Sequence, residues 1–186
     1  MAEVHERLVS SEFGSITTVE AVYVPADDIL DQAVQAIFTH LDSDVVLSRD
    51  VYREGRFPAV DILASGSSAL NPEVVSPIHY HVALQARSLL KQATSIERIV
   101  ALVGESELSE EDRVVYQRAR RLKNYMTQNF SVAEDQTGKK GAYVPLNTTV
   151  ADVKDILDGN ADGISEEKLL FIGSLDELEE EVSTKQ

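Results

Sequence analysis

Apolar residues change their spacing along this chain. Up to about residue 75 they come in short runs, and beyond it they recur every three or four positions. Residues 15–25, SITTVEAVYVP, are rich in Ile, Thr, Val and Tyr, follow Gly14 and stop at Pro25, which predicts a strand. Its apolar residues fall on both faces, so it reads as an interior strand of a covered sheet. Asp27 or Asp28 can cap a following helix with the stripe Ile29, Ala33, Ala36, Ile37 and Phe38, reaching His40. Val45, Val46 and Leu47 predict a second short strand, and Arg49 to Gly55 a turn or two of helix ended by the glycine. Arg56 to Leu70 reads as a turn, a buried segment and a loop.

From Ser76 the expectation is one helix after another. Ser76 caps and Pro77 opens the first, lined by Ile78, Val82, Ala86 and Leu89 or Leu90. Ser95 starts a second, carrying Ile96, Ile99, Val100 and Val103 and ending at Gly104. Ser109 then caps a third, with Asp112 as its capping-box partner. Glu110, Glu111 and Asp112 occupy the first turn, where the helix dipole favours acids, and Val115, Ala119, Leu122 and Met126 form the apolar stripe. Taken as physics alone, this is a capped, amphipathic surface helix. A loop from about Asn129 to Pro145 follows. Thr149 with Asp152 opens another helix stopped by Gly159, Ser165 opens one more, and Ser174 with Glu177 forms a last capping box before an acidic tail. The fold class is therefore α+β, strand-containing over residues 1–75 and all-helical over 76–186.

At 186 residues, 43% hydrophobic and 26% charged, the chain can bury a core. No apolar run approaches the roughly 18 residues of a membrane span, and the N-terminus lacks a signal peptide's pattern, so a soluble, cytoplasmic protein without direct membrane insertion is expected. The absence of cysteine excludes disulfides and thiolate metal sites. A net charge of −15 repels phosphate backbones and argues against a nucleic-acid partner. Most basic residues of the second part lie around Arg113–Lys123, so any anion-facing surface would be there. His79 and His81 are two apart and point to different helix faces, His5-Glu6 begins an HExxH that has Val9 in place of the second His, and no GxSxG elbow frames a serine. No metal site and no hydrolase triad is expected. Asp61, in an apolar context, reads as a hydrogen-bonded carboxylate holding a loop.

Four ordered segments carry a family resemblance. Glu107-Leu108-Ser109-Glu110-Glu111-Asp112 resembles the DELSEED motif of the beta subunit of rotary F-type ATP synthases, with Ser106 replacing its first Asp. Gly14 to Thr18 with Tyr23 to Asp28 resembles that family's GSITS…YVPADD segment. His40-Leu41-Asp42 and Pro58-Ala59-Val60-Asp61 resemble its HLD and PAVD segments, and Phe130 to Glu134, Thr137-Gly138 and Val144-Pro145-Leu146 its FxVAE…TG…VPL loop.

The resemblance implies the family's C-terminal part: the remnant of a P-loop-type α/β nucleotide-binding domain over residues 1–75, then a helical bundle domain. It implies ATP or ADP with Mg as cofactors of the full subunit, alpha subunits and the central gamma rotor as partners, and a place peripheral to the inner membrane. Phe57 and Phe130 match the aromatics that sandwich adenine, Ala133 matches the residue packing on the base edge, and Gln136 stands where another pocket aromatic is usual. Ser68 stands where an arginine is usual. Glu105, Ser106, Glu107, Leu108, Ser109, Glu110, Glu111 and Asp112 match the loop that pushes on the rotor. No catalytic residue is expected in this chain: the one GK pair, Gly138-Lys139, has Ala133 where a P-loop's first Gly belongs and Lys140 where its hydroxyl belongs. The chain alone is thus expected to be inactive, within a complex that synthesises or hydrolyses ATP. The other reading is a free-standing, non-catalytic helical interaction domain.

Overall fold

A computed structural model describes residues 2–178, apart from the side chains of 2, 3, 133, 136 and 137. It divides into two compact units, Met1–Asp44 and Val45–Gln186. The expected acidic tail beyond residue 178 lies outside the described residues.

The first unit holds α1 (Ala2–His5), α2 (Gln32–Phe38) and β1 (Ser43–Asp44). The His5 ring stacks on His40 with centroids 4.8 Å apart, and its Nε2 meets the Glu20 carboxylate at 3.1 Å. The strand expected over 15–25 does not form. Ile16, Val19 and Tyr23 stand exposed, since an interior strand needs a ladder partner on each side and the described residues supply none. The cap of α2 is Asp31, which accepts from the amides of Ala33 and Val34, rather than Asp27 or Asp28. Val34 is the buried residue of that helix, with the expected Ile37 and Phe38 half-buried on the same face at i+3 and i+4, while the expected Ala33 and Ala36 are exposed.

The second unit begins with paired extended segments. Leu47 bridges Val60 antiparallel, with Ser48 N–H donating to Ala59 O and Asp61 N–H to Val46 O, each at 2.8 Å. Between them lies α3 (Arg49–Arg53), capped by Ser48 and followed by Gly55 as expected. Asp61 Oδ1 accepts from the amides of Leu63 and Ala64 at 3.0 Å, the loop-holding role expected of it. β2 (Gly66–Ser67) follows.

Then come α4 (Pro77–Val103), α5 (Glu110–Tyr125), α6 (Glu134–Thr137) and α7 (Leu146–Asp158). The break expected at Ser95 is absent. Nothing between Ile78 and Val103 is Gly or Pro, and the neighbouring Thr94 hydroxyl donates back to Leu90 O at 3.0 Å, so α4 runs through for 27 residues. Val82, Leu90 and Ala93 of α4, Ala119, Leu122 and Tyr125 of α5, Val153 and Ile156 of α7, and Ala161 and Leu169 beyond it form the core. Met126 is exposed and Tyr125 takes its expected place in the stripe, because α5 ends at Tyr125 and Met126 is its C-cap. α7 starts three residues before the expected Thr149, and Asp152 is buried in its middle instead of capping it. The Ser165 segment is a 3-10 turn, Glu166–Leu169.

Most basic residues of α5 are engaged by partners within the chain. Arg118 Nη2 meets Asp162 Oδ2 at 2.6 Å and Arg118 Nη1 donates to Leu157 O at 3.0 Å. Arg121 donates to the carbonyls of Ile164 and Asp162, Arg120 pairs with Glu166 at 2.8 Å, and Lys123 pairs with Glu97 at 2.5 Å. The bond to Asp162, followed by that charge's attraction, outweighs desolvation and raises the Arg118 pKa above its ordinary value. Arg118 and Arg121 are spent on the turn after α7. That turn depends on Gly159, whose φ of +92° suits no L side chain and where a Cβ would collide with the Arg118 guanidinium. Gly159→Ala is expected to lower stability by about 1–3 kcal/mol, read as a lower midpoint in urea unfolding.

Candidate functional site

Two candidate surfaces lie at opposite ends of α5. At its N-terminal end the chain turns through Gly104 into the 3-10 turn Glu105–Glu107 and then into the Ser109 cap. The Asp112 amide donates to Ser109 Oγ at 3.1 Å, and the Ser109 hydroxyl donates to Asp112 Oδ2 at 2.8 Å. The pair expected as a capping box thus closes hydroxyl to carboxylate, leaving the acids in the first turn facing the positive end of the dipole. Ser106, Glu107, Ser109, Glu110, Glu111 and Asp112 are exposed. Leu108 is not: at 8% exposure it anchors the loop from beneath and offers nothing to a partner. Glu105 is half-buried and accepts from Gln117 Nε2 at 3.1 Å. A polar groove of about 360 Å³ runs beside it, lined by Glu105, Gln117, Arg120, Arg121, Glu166 and Glu167.

At the C-terminal end of α5 the chain enters the loop that carries Phe130. Gln128 N–H donates to Phe57 O at 2.8 Å, tying the two aromatic segments together two residues from Phe130. Phe57, whose peptide to Pro58 is cis, is 40% exposed and packs edge-on against Tyr52, while Phe130 is 42% exposed. The two rings do not pair with one another. Phe130 precedes a short 3-10 turn, Ser131–Ala133, and α6. The side chains of Ala133 and Gln136 lie outside the described residues. Gly138 N–H donates to Glu134 O at 2.8 Å, so the GK pair sits at the close of a helical turn. The loop shuts where Ala142 N–H meets Asn129 O at 3.1 Å, and Gly141 passes so near Ser131 that a Cβ would strike its backbone. A cavity of about 180 Å³ next to this loop is lined by Tyr125, Thr127, Gln128, Val144, Thr149 and Ile172, and by neither Phe57 nor Phe130.

Residues 68–170 match the family described as the C-terminal domain of V and A type ATP synthase, which is more than half of the chain. The chain belongs to that family. Residues 1–67 match the nucleotide-binding domain of the ATP synthase alpha/beta family. Among solved structures, the ATP synthase subunit NeqB from Nanoarcheaum equitans is similar at 22% identity with a TM-score of 0.70, over 84% of this chain and 38% of that one. EscN, the assembled ATPase of the enteropathogenic E. coli type III secretion system, is similar at 21% identity with a TM-score of 0.62, over 77% of this chain and 32% of that one. This ATP synthase family chain therefore spans about a third of the length of the structures it matches. It shares their fold, a short-stranded segment followed by a helical domain. No described helix is long and apolar enough to cross a membrane, and no three described His, Asp or Glu residues are placed to hold a metal ion.

One group that sequence reasoning missed supports the C-terminal end of α5. Tyr125 O–H donates to Asp152 Oδ2 at 2.8 Å, and the same carboxylate oxygen accepts from Leu175 N–H at 3.0 Å. Tyr and Asp 27 positions apart give no local signal, and only the packing of α5 on α7 joins them. Burial, reinforced by the hydrogen bond to Asp152, raises the Tyr125 pKa. The folded state keeps this proton where the unfolded phenol loses it, so the contribution is complete below about pH 10 and is lost as pH rises beyond it. Tyr125→Phe is expected to cost about 1–3 kcal/mol at neutral pH by leaving the buried carboxylate short of a donor. In chemical denaturation the gap between wild type and variant narrows above about pH 10.

Proposed function

We propose that this chain is the pocket-wall and lever segment of the beta subunit of an F-type ATP synthase, coupling nucleotide occupancy to rotation. Residues 1–75 are the tail of its nucleotide-binding domain and 76–186 its helical domain. Phe57 and Phe130, with Ala133 and Gln136, form one wall for the adenine of ATP or ADP, while Mg and the catalytic groups come from outside this chain. Glu105 to Asp112 face the central gamma rotor, with Leu108 holding the loop from within, and alpha subunits are the neighbours. The complex lies peripheral to the inner membrane.

The observation that carries this reading is the single helix between the two surfaces. Sixteen residues of α5 span about 24 Å, with one end capped at the acidic tip and the other running into the loop of Phe130. Packed against α4 and α7, it moves as a rigid body rather than bending, so a shift at the aromatic wall becomes a displacement of the tip. Exposed acid-base pairs contribute only about 0–1 kcal/mol each, so the push is steric.

The match of residues 68–170 favours a second reading, a subunit of V or A type. Co-purification of the tagged chain with F-type alpha and gamma subunits supports the first, and with V- or A-type subunits in their place the second. In the assembled complex, replacing Glu105, Glu107, Glu110, Glu111 and Asp112 by alanine is expected to preserve most of the torque in single-molecule rotation, and near-total loss would overturn the steric mechanism. Phe57→Ala or Phe130→Ala is expected to weaken ADP binding by about 1–3 kcal/mol in calorimetry.

A further inference from the structure

Three consecutive residues, Thr127, Gln128 and Asn129, join everything that lies around the aromatic wall. Thr127 is buried at the end of α5, and its hydroxyl donates to Asn124 O at 2.6 Å while accepting from Phe171 N–H at 2.7 Å. Gln128 N–H holds Phe57 O at 2.8 Å, and its side-chain amide donates to Ala142 O. Asn129 Nδ2 donates to Phe171 O at 3.0 Å, and Asn129 O receives Ala142 N–H. Phe171 is therefore gripped on both its amide and its carbonyl by the residues that lead into Phe130. Its backbone is left-handed, with φ +61°, a conformation that a bulky residue keeps only when its surroundings impose it. Lys139, from the far side of the same loop, sits 4.8 Å over the Phe171 ring. Four residues further on, Leu175 is tied to Asp152 in the bundle core.

From this juxtaposition we infer that Thr127 and Phe171 are positioning residues for the nucleotide wall: Phe171 is a wedge that sets the 127–142 loop, and with it Phe130, against Phe57. The inference rests on the adenine reading of Phe57 and Phe130 and extends it to two residues that do not touch the base. Such second-row contacts decide whether a recognition surface is preorganised or loose. Because the wedge continues into the segment anchored on Asp152, base binding and the seating of residues 171–175 on the bundle are linked. A ligand that draws Phe130 inward favours the seated form.

The test uses the full 186-residue chain and N-methylanthraniloyl-ADP, with affinity read by fluorescence and folding by thermal melting. Thr127→Val, which keeps the shape and removes the hydroxyl, and Phe171→Ala are each expected to weaken binding about tenfold, the loss of roughly one hydrogen bond's worth of organisation. Thr127→Ser, which keeps the hydroxyl, binds like wild type. Gly159→Ala, which loosens the bundle at the turn after α7, lowers the melting temperature without weakening binding. If Phe57→Ala and Phe130→Ala weaken binding while Thr127→Val or Phe171→Ala does not, the wedge is wrong and the adenine wall stands. If Gly159→Ala weakens binding as much as Thr127→Val, the effect is general loosening and the wedge is again wrong. Absence of wild-type binding, or indifference to Phe57→Ala and Phe130→Ala, overturns the wall and the wedge together.

Discussion

Burial of one face of α5 against α4 and α7 is the constraint on which the rest of the second unit depends. Ala93 and Ala119 are fully buried and share one core with Leu122, Ile156 and Leu169. Both candidate surfaces are extensions of this helix, so their geometry is inherited from its packing. The charged residues flanking that face add to this: Arg118 and Arg121 hold the turn after α7 by its carbonyls as well as by Asp162. That joins parts of the chain some forty residues apart by several directed bonds at once.

The two ends of α5 are built in different ways. The tip is organised largely locally: Ser109, three acids and a buried Leu108 lie within one or two turns, and Gln117 on the same helix holds Glu105. The aromatic wall is organised from afar, by Phe57 arriving from before α4 and Phe171 from after α7. In the proposed role, the end assembled from three chain segments senses the nucleotide and the locally built end pushes.

Much of the helical part was legible. The caps Ser76 and Ser109 lie where the spacing of polar and apolar residues puts them, and Gly104 and Gly159 stop their helices, because caps and stops are local decisions. The errors have one source. Ser95 looked like a cap, yet a serine in mid-helix costs little when both flanking turns are packed. Asp152 looked like a capping partner, but α7 begins at Leu146 and turns that carboxylate inward to Tyr125. The stretch 15–25 has the composition of an interior strand, and composition cannot supply the neighbours a strand hydrogen-bonds to.

The amino-acid order by itself thus determined what can be decided within about one helical turn: caps, stops, the acidic first turn of α5, the loop-holding role of Asp61. The motif words pointing to the ATP synthase family were legible there too. Which carboxylate would be buried, which arginines would be spent on carbonyls, and that residues 127–129 would bind the backbones of Phe57 and Phe171 was decided only by the tertiary structure. The bonds concerned join residues tens of positions apart, and their partners come together only when α5 has packed against α4 and α7.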